Sequence, residues 1–356
     1  MKRCANNFDS GAGLGNERQV PKRETYTGEY MESILIALKD KAINRADIDL
    51  EDAEKLYEIG QKDPFLLMAY ASQIREHFKG KKIGLCAIVN AKSGLCAENC
   101  RFCAQSAHYG TDAPVYPLVS SKEIIEKGRT ALGAGARYFG IVTSGTRIND
   151  QYEWNEIYQA IAGLNEVGIK PCGSLGMLDY EMAHNLKKSG LFRYHHNLET
   201  SRSFFDTICS THAYDEDIET VKTAKKAGLF VCSGGIIGLG EKMEHRIELA
   251  MTLKELDVDS VPVNILNPIE GTPLAGIPPL APMEILLTVA IYRFILPDKD
   301  IKLCGGKEKN LRQLLPLAIV AGCNSFMTGN YLTTLGRDTE KDLEMIADLG
   351  CEAVSE

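Results

Sequence analysis

The chain has no surplus of positive charge: 40 Lys and Arg stand against 48 Asp and Glu, a formal net charge of −8. Holding a polyanion by counterion release needs a basic field, so no nucleic-acid partner is expected. Long apolar runs are also missing. Stretches such as Ile285–Leu287 and Val289–Ile291 fall far short of the roughly 18 residues a membrane span takes, so no membrane span is expected. Met1–Tyr30 is rich in Asn, Gly, Glu, Lys and Arg and lacks the apolar core of a secretory signal, which predicts a cytoplasmic protein. There is a single tryptophan, Trp154, whose expected role is packing. What the chain does have is ordinary globular composition, 44% apolar and 25% charged, which excludes a disordered chain and supplies one large core. Its 11 cysteines are odd in number and irregularly spaced, so metal binding or catalysis is a better expectation than a disulfide framework.

Residues 1–30 carry alternating Gly11, Gly13 and Gly15 with no apolar period, which predicts a flexible N-terminal extension. Residues 31–80 hold the signals of N-terminal cap helices: Ile34, Leu35 and Leu38 on one face, Asp49 ahead of Leu50, and Asp63 ahead of Pro64. From 81 to 356 the rhythm changes. Apolar runs starting near Ile83, Tyr138, Ile169, Phe192, Phe230, Ser260, Ile301 and Ser325 alternate with amphipathic stretches, the pattern of parallel strands joined by crossover helices. Ser120 with Glu123 marks a helix start, and Gly168, Gly190 and Gly228 fall where helices should end. Eight such units predict an α/β fold, a TIM-type (β/α)8 barrel with a C-terminal segment. A doubly wound open sheet would want a glycine-rich phosphate loop after the first strand, and that position holds cysteines instead.

Those cysteines are Cys96, Cys100 and Cys103, a C-x3-C-x2-C run within eight residues. Three thiolates on one loop grip three irons of a 4Fe-4S cube and leave the fourth iron open, whereas structural zinc wants four ligands. In a barrel, the loops at the C-terminal strand ends carry the active site.

On this loop the chain resembles the radical S-adenosylmethionine (SAM) superfamily. Asn90–Leu95 before the triplet, Ala104–Ser106 after it, Tyr194–Thr200, Cys232–Glu241, Val261–Asn264 and Tyr331–Thr334 are similar to the biotin synthase family, in family order over roughly residues 45 to 350. The resemblance implies an enzyme in which SAM on the open iron is cleaved and the resulting radical takes hydrogen from dethiobiotin. Sulfur from a second iron-sulfur cluster then closes the ring of biotin. It further implies SAM contacts at Phe102, Asn197, Glu199 and Ile236, and dethiobiotin contacts at Asn197, Asn264, Thr333 and Thr334. A flavodoxin or ferredoxin as electron donor and a homodimer are implied as well. Glu199 stands where the family has Asp or Asn. Asn197 and Asn264 each offer amide donors and a carbonyl acceptor, which suits a ureido ring. Strand alternation would put Glu199 on the face of Asn197 and would send His195 and His196 to opposite faces.

The chain departs from the family at the second cluster, where the well-known form uses three cysteines and an arginine to hold 2Fe-2S. Cys172 and Cys232 match, but Gly140 replaces the third cysteine and Lys302 the arginine. Two further cysteines, Cys86 and Cys304, lie on the first and seventh strands. Cys86, Cys172, Cys232 and Cys304 would then form a four-thiolate set on strands one, three, five and seven, which contribute to a common layer of a barrel and suit an auxiliary four-iron cluster. Cys4, Cys209, Cys323 and Cys351 are read as structural or incidental. Two rivals remain: a biotin-synthase-like paralogue of the hydrogenase-cluster maturase or amino-acid mutase type, and a non-enzymatic metal-binding protein.

Overall fold

A computed structural model describes residues 28–334 and 336–354. The extension expected for residues 1–30, and Cys4 within it, lies outside the described residues up to position 27. From there the chain is helical: α1 (Gly28–Ile43), α2 (Leu50–Lys62) and α3 (Pro64–Lys79). Local chemistry sets their starts. The Asp49 carboxylate accepts from Asp52 N–H and Asp52 returns the bond, while Asp63 caps α3 with Pro64 in its first turn.

The barrel follows in alternation: β1 (Lys82–Lys92), α4 (Ser121–Gly133), β2 (Tyr138–Thr143), α5 (Gln151–Val167), β3 (Lys170–Ser174), α6 (Tyr180–Lys188) and β4 (Arg193–His195). Next come α7 (Arg202–Phe205), α8 (Tyr214–Lys226), β5 (Phe230–Cys232), β6 (Gly235–Ile237), α9 (Met243–Glu255), β7 (Ser260–Ile265), α10 (Pro282–Ile295) and β8 (Asp300–Leu303). The chain ends with α11 (Lys307–Leu311), a 3-10 turn (Arg312–Leu314), α12 (Leu317–Val320), β9 (Ser325–Met327), α13 (Thr339–Asp348) and β10 (Glu352–Ala353). All pairings are parallel, and β9 pairs back onto β1 to close the barrel. Eight stations are present because β5 and β6 are two pieces of one: β5 joins β4 to β7 at Cys232, and β6 pairs with β7 and bridges through Gly235 to Glu199.

The Ser120 hydroxyl caps α4 by accepting from Glu123 N–H, and Gly168 ends α5 in the left-handed conformation. Gly190 and Gly228 also adopt positive φ just after α6 and α8, a conformation that costs glycine little. The core fills the space between strands and helices, and α10 is buried from Ile285 to Ile295. Helix α3 packs on α10 and α1, and α2 packs on α9 and α10. Lys79 pairs with Asp300 at 2.9 Å and Arg45 with Asp298 at 2.7 Å, so these helices meet the start of β8 and leave the opposite end of the barrel open. Trp154 is buried and stacks on Tyr158 at 5.6 Å, a packing role. Among the described residues no helix is long and apolar enough to cross a membrane.

Candidate active site

A cavity of about 360 Å3 occupies the lumen and its C-terminal mouth. It has two levels, and the sequence-derived residues divide between them except Cys96 and Cys100, which lie on the loop at its mouth but not in its wall.

The mouth is built on the cysteine loop. Beyond β1 the chain turns through Gly94 and Leu95, both at positive φ. A Cβ on Gly94 would lie 2.6 Å from Val115, so only glycine fits this turn. Cys96 N–H donates to Gln105 O at 3.0 Å, Ala107 N–H to Cys96 O at 2.8 Å, and Cys103 N–H to Cys100 O at 2.9 Å. The Gln105 side chain accepts from Ser93 and Gly94, closing the loop on its own base. Cys96, Cys100 and Cys103 are half-buried, and burial pushes the Cys103 thiol up to about 11.

Phe102 packs with Ile236 in a small apolar cluster that includes Ile208, Leu239 and Leu266, and both line the cavity. Strand β4 stops at His195, so the strand alternation expected to align Asn197 with Glu199 does not apply. The chain instead turns at Glu199, whose φ is 61°, and this turn brings both side chains to the cavity. Asn197 Nδ2 donates to Glu199 Oε2 at 3.3 Å, while Asn197 Oδ1 is buried without a partner. Burial, with Asp217 adding to it, pushes the Glu199 carboxyl up to about 7. Asn264 Nδ2 donates to Gly235 O at 3.3 Å and Asn264 Oδ1 accepts from Gly305 N–H at 3.1 Å, leaving one hydrogen and one lone pair for a ligand. Thr333 and Thr334 also line the cavity, and Asn90 Nδ2 secures their segment through Leu332 O at 3.0 Å. The two histidines part: His195 lines the cavity, and His196, just past β4, turns its Nε2 to Asp217 at 2.8 Å.

The floor holds Cys86, Cys172, Cys232 and Cys304, at most 9% exposed, all lining the same cavity with Lys302 and Arg193. Cys304 follows the last residue of β8 instead of lying within it. Register places Gly140 beside Cys172 on β3, with Arg193 on the other side of Cys172. A Cβ on Gly140 would come within 3.0 Å of Ile88. Burial drives the Cys172 thiol up to about 11 against Arg193 and Lys302. At Cys232 burial acts the same way, but Lys302, His195 and Arg193 outweigh it and bring the thiol down to about 6. Burial and the neighbouring Cys86 raise Cys304 well above the ordinary thiol range. Lys302 feels burial first, yet Cys86 and Cys232 keep it charged.

Sequence reading missed Arg193, a lone cation inside the apolar run Leu191–Tyr194, although a charge in a buried strand is a usable signal. It also missed Glu98, His212 and Asp217, which are linked by hydrogen bonds. Cys323 is fully buried and donates to Ser325 O at 3.0 Å, and Cys351 packs at the core's edge. Among the described residues, the set whose three ligand atoms lie within 4.8 Å of one another is Glu98, Cys209 and His212. Neither cysteine group is drawn together in that way, as one tetrahedral zinc with Zn–S of about 2.3 Å would need.

The Radical SAM superfamily model matches residues 92–253, and the Biotin and Thiamin Synthesis associated domain matches residues 262–352. The chain is 53% identical over 315 residues to a biotin synthase of Geobacter sulfurreducens, covering 88% of this chain and 96% of that one. It is also 53% identical to a biotin synthase of Pelotomaculum thermopropionicum, over 85% of this chain and 94% of that one. The chain belongs to the biotin synthase family. It is therefore a radical SAM enzyme that inserts sulfur, and the family implies a 4Fe-4S cluster and SAM. Among solved structures, methylornithine synthase superposes with TM-score 0.76 at 22% identity, over 89% of this chain and 97% of that one. The [FeFe]-hydrogenase maturase HydG gives TM-score 0.76 at 18% identity, over 90% and 75%. At those identities the likeness establishes the shared barrel.

Proposed function

We propose that this biotin synthase family member converts dethiobiotin to biotin in the cytoplasm, with Cys96, Cys100 and Cys103 holding the SAM-binding 4Fe-4S cluster. When bound, cluster and SAM supply an electron and a 5′-deoxyadenosyl radical that abstracts hydrogen. The donor set fits: three sulfurs on one self-closed loop, with the apolar pair Phe102 and Ile236 beside it for an adenine. The Glu199 carboxyl receives ribose hydroxyls. The unpartnered Asn197 Oδ1 and the spare valences of Asn264 receive a ureido ring, and the hydroxyls of Thr333 and Thr334 take the substrate carboxylate. These groups are half-buried around one cavity, which limits the water that reaches a radical site.

The floor thiols Cys86, Cys172, Cys232 and Cys304 would hold an auxiliary four-iron cluster in place of the usual 2Fe-2S, and this cluster would supply the sulfur. Two observations favour it. Gly140 and Lys302 cannot complete the usual ligand set, and Lys302 with Arg193, whose Nε is buried without a partner, offsets part of four thiolate charges in a low-dielectric lumen. A flavodoxin or ferredoxin as electron donor and a homodimer complete the reading.

The observation that carries it is that Cys103 of the loop and the four floor thiols border one cavity whose wall also holds the proposed substrate groups. The test is an anaerobic reaction of the reconstituted chain with SAM, a strong reductant and dethiobiotin, followed by mass spectrometry for 5′-deoxyadenosine and biotin. Both products are expected. 5′-Deoxyadenosine without biotin would overturn the substrate or the sulfur-donor assignment, and neither product from a fully loaded chain would overturn the whole reading.

A further inference from the structure

The turn from β8 into α11 touches both proposed ends of the substrate site. On one side it is fastened to β7. Cys304 N–H donates to Val263 O at 3.0 Å, Ile265 N–H donates to Gly305 O at 2.8 Å, and a Cβ on Gly306 would meet Ile265 O at 2.0 Å. A backbone oxygen that close leaves room for glycine alone. Gly305 N–H donates to Asn264 Oδ1 at 3.1 Å, so this turn orients the residue proposed for the ureido ring.

On the other side, Lys307 and Glu308 reach the segment that carries Thr333 and Thr334. Lys307 is fully buried. Its Nζ pairs with Glu308 Oε1 at 2.5 Å and donates at 2.7 Å to the carbonyl of Met327, the last residue of β9. The Tyr331 hydroxyl lies between the two, accepting from Lys307 Nζ at 2.7 Å and donating to Glu308 Oε1 at 2.7 Å. Glu308 Oε1 also accepts Arg337 N–H at 3.3 Å, so one carboxylate oxygen grips the segment before and after the two threonines. Tyr331 N–H donates to Thr334 O at 3.0 Å, which passes that grip to the threonine turn. Hydrogen bonds to charged groups are the stronger ones, and burial strengthens them further.

We propose that Lys307, Glu308 and Tyr331 are positioning residues that fix the distance between Asn264 and the Thr333 and Thr334 pair, and so make the site selective for the length of chain between the two polar ends of its substrate. This rests on the assignment of Asn264 to the ureido ring and of Thr333 and Thr334 to the carboxylate of dethiobiotin. A site with one movable end would follow a shorter acid. A clamped site leaves one end of that acid imperfectly paired, which costs affinity.

The test titrates dethiobiotin, and the acid with one methylene fewer in its side chain, into the reconstituted, SAM-bound full chain by calorimetry. Wild type should bind dethiobiotin about tenfold more tightly than the shorter acid, and Tyr331→Phe, which leaves Lys307 and Glu308 paired, should narrow that ratio to about threefold. Its affinity for SAM should not change. Glu308→Gln keeps an acceptor for Tyr331 and should hold the ratio above that of Tyr331→Phe. Thermal melting checks the fold, and should Glu308→Gln fail that check, the Tyr331→Phe ratio decides alone. A wild-type ratio in Tyr331→Phe overturns the proposal, as does an absence of discrimination in wild type. Equal weakening of both acids, or a matching loss of SAM affinity, would make the clamp merely structural and overturns it too. A wild-type chain that binds SAM but neither acid overturns the dethiobiotin assignment instead, and the two failures are thereby told apart.

Discussion

Glu241 and Arg246 form an ion pair at 2.6 Å in which both side chains are 1% exposed. The carboxylate also accepts Gly238 N–H at 2.8 Å and Leu239 N–H at 2.6 Å, so it pins the turn that follows β6 at the mouth. Arg246 reaches on to Glu284 at 2.8 Å.

Removing Glu241 leaves the buried Arg246 with Glu284 as its remaining carboxylate and takes the acceptor from Gly238 and Leu239 N–H. Glu241→Ala should cost about 3–5 kcal/mol of stability, read by urea unfolding of the full chain, and should weaken SAM binding in the folded fraction. Unchanged unfolding would mean that water reaches Arg246 and takes over the role of the carboxylate.

Glu199 predicts a pH dependence. Burial, aided by Asp217, raises its carboxyl to about 7, so between the ordinary carboxylate range and pH 7 the folded chain holds a proton that the unfolded chain has lost. Its contribution is full at low pH and disappears as pH rises through 7, by about 3 kcal/mol. Without added SAM, the stability difference between Glu199→Gln and wild type should therefore move in the variant's favour from pH 5 to pH 8. Parallel unfolding curves at both pH values would show that the carboxylate ionises without penalty.

The floor ligand set predicts separable chemistry. Cys172→Ala and Cys304→Ala should each lose auxiliary iron, keep reductive cleavage of SAM to 5′-deoxyadenosine, and form no biotin. A Cys304→Ala chain with its full iron count would remove Cys304 from the set.

Gly235 lies against the Glu199 turn, where an added Cβ would meet Glu199 O at 2.5 Å and Leu249 at 2.9 Å. A backbone oxygen cannot yield as a side chain does. Gly235→Ala should destabilise the chain by about 1–3 kcal/mol and loosen SAM more than dethiobiotin, measured by thermal melting and by calorimetric titration of each ligand.

Much of the barrel is readable from the chain alone. The runs beginning at Tyr138, Phe230, Ser260 and Ser325 start where the strands start, and Ile83, Ile169, Phe192 and Ile301 fall within one residue, because buried parallel strands are continuous apolar runs bounded by helix-ending glycines. The break at Ser233–Gly234 and the short pairing of β10 with the start of β1 leave no periodic trace. The same is true of the left-handed turn at Glu199, which depends on the packing of Gly235 beneath it. Motif order named residues that, Cys96 and Cys100 apart, line one cavity. The contact of Cys209 with Cys100, however, joins residues 109 positions apart, and only the closed barrel brings them face to face.

The divided fifth station has a consequence for how the protein can change. Below the break, β5 answers to the hydrogen-bond register of the closed barrel, which fixes where Cys232 stands. Above it, β6 follows β7 and the Glu199 turn, which fixes where Ile236 stands. At about 3.3 Å per residue, the four steps from Cys232 to Ile236 can span at most about 13 Å, with a joint at Ser233–Gly234 between floor and mouth. The two storeys share β7 but answer to different further neighbours, so the lower one can exchange its furnishings, a glycine for a cysteine or a lysine for an arginine, while the Glu199 turn keeps the upper one in shape.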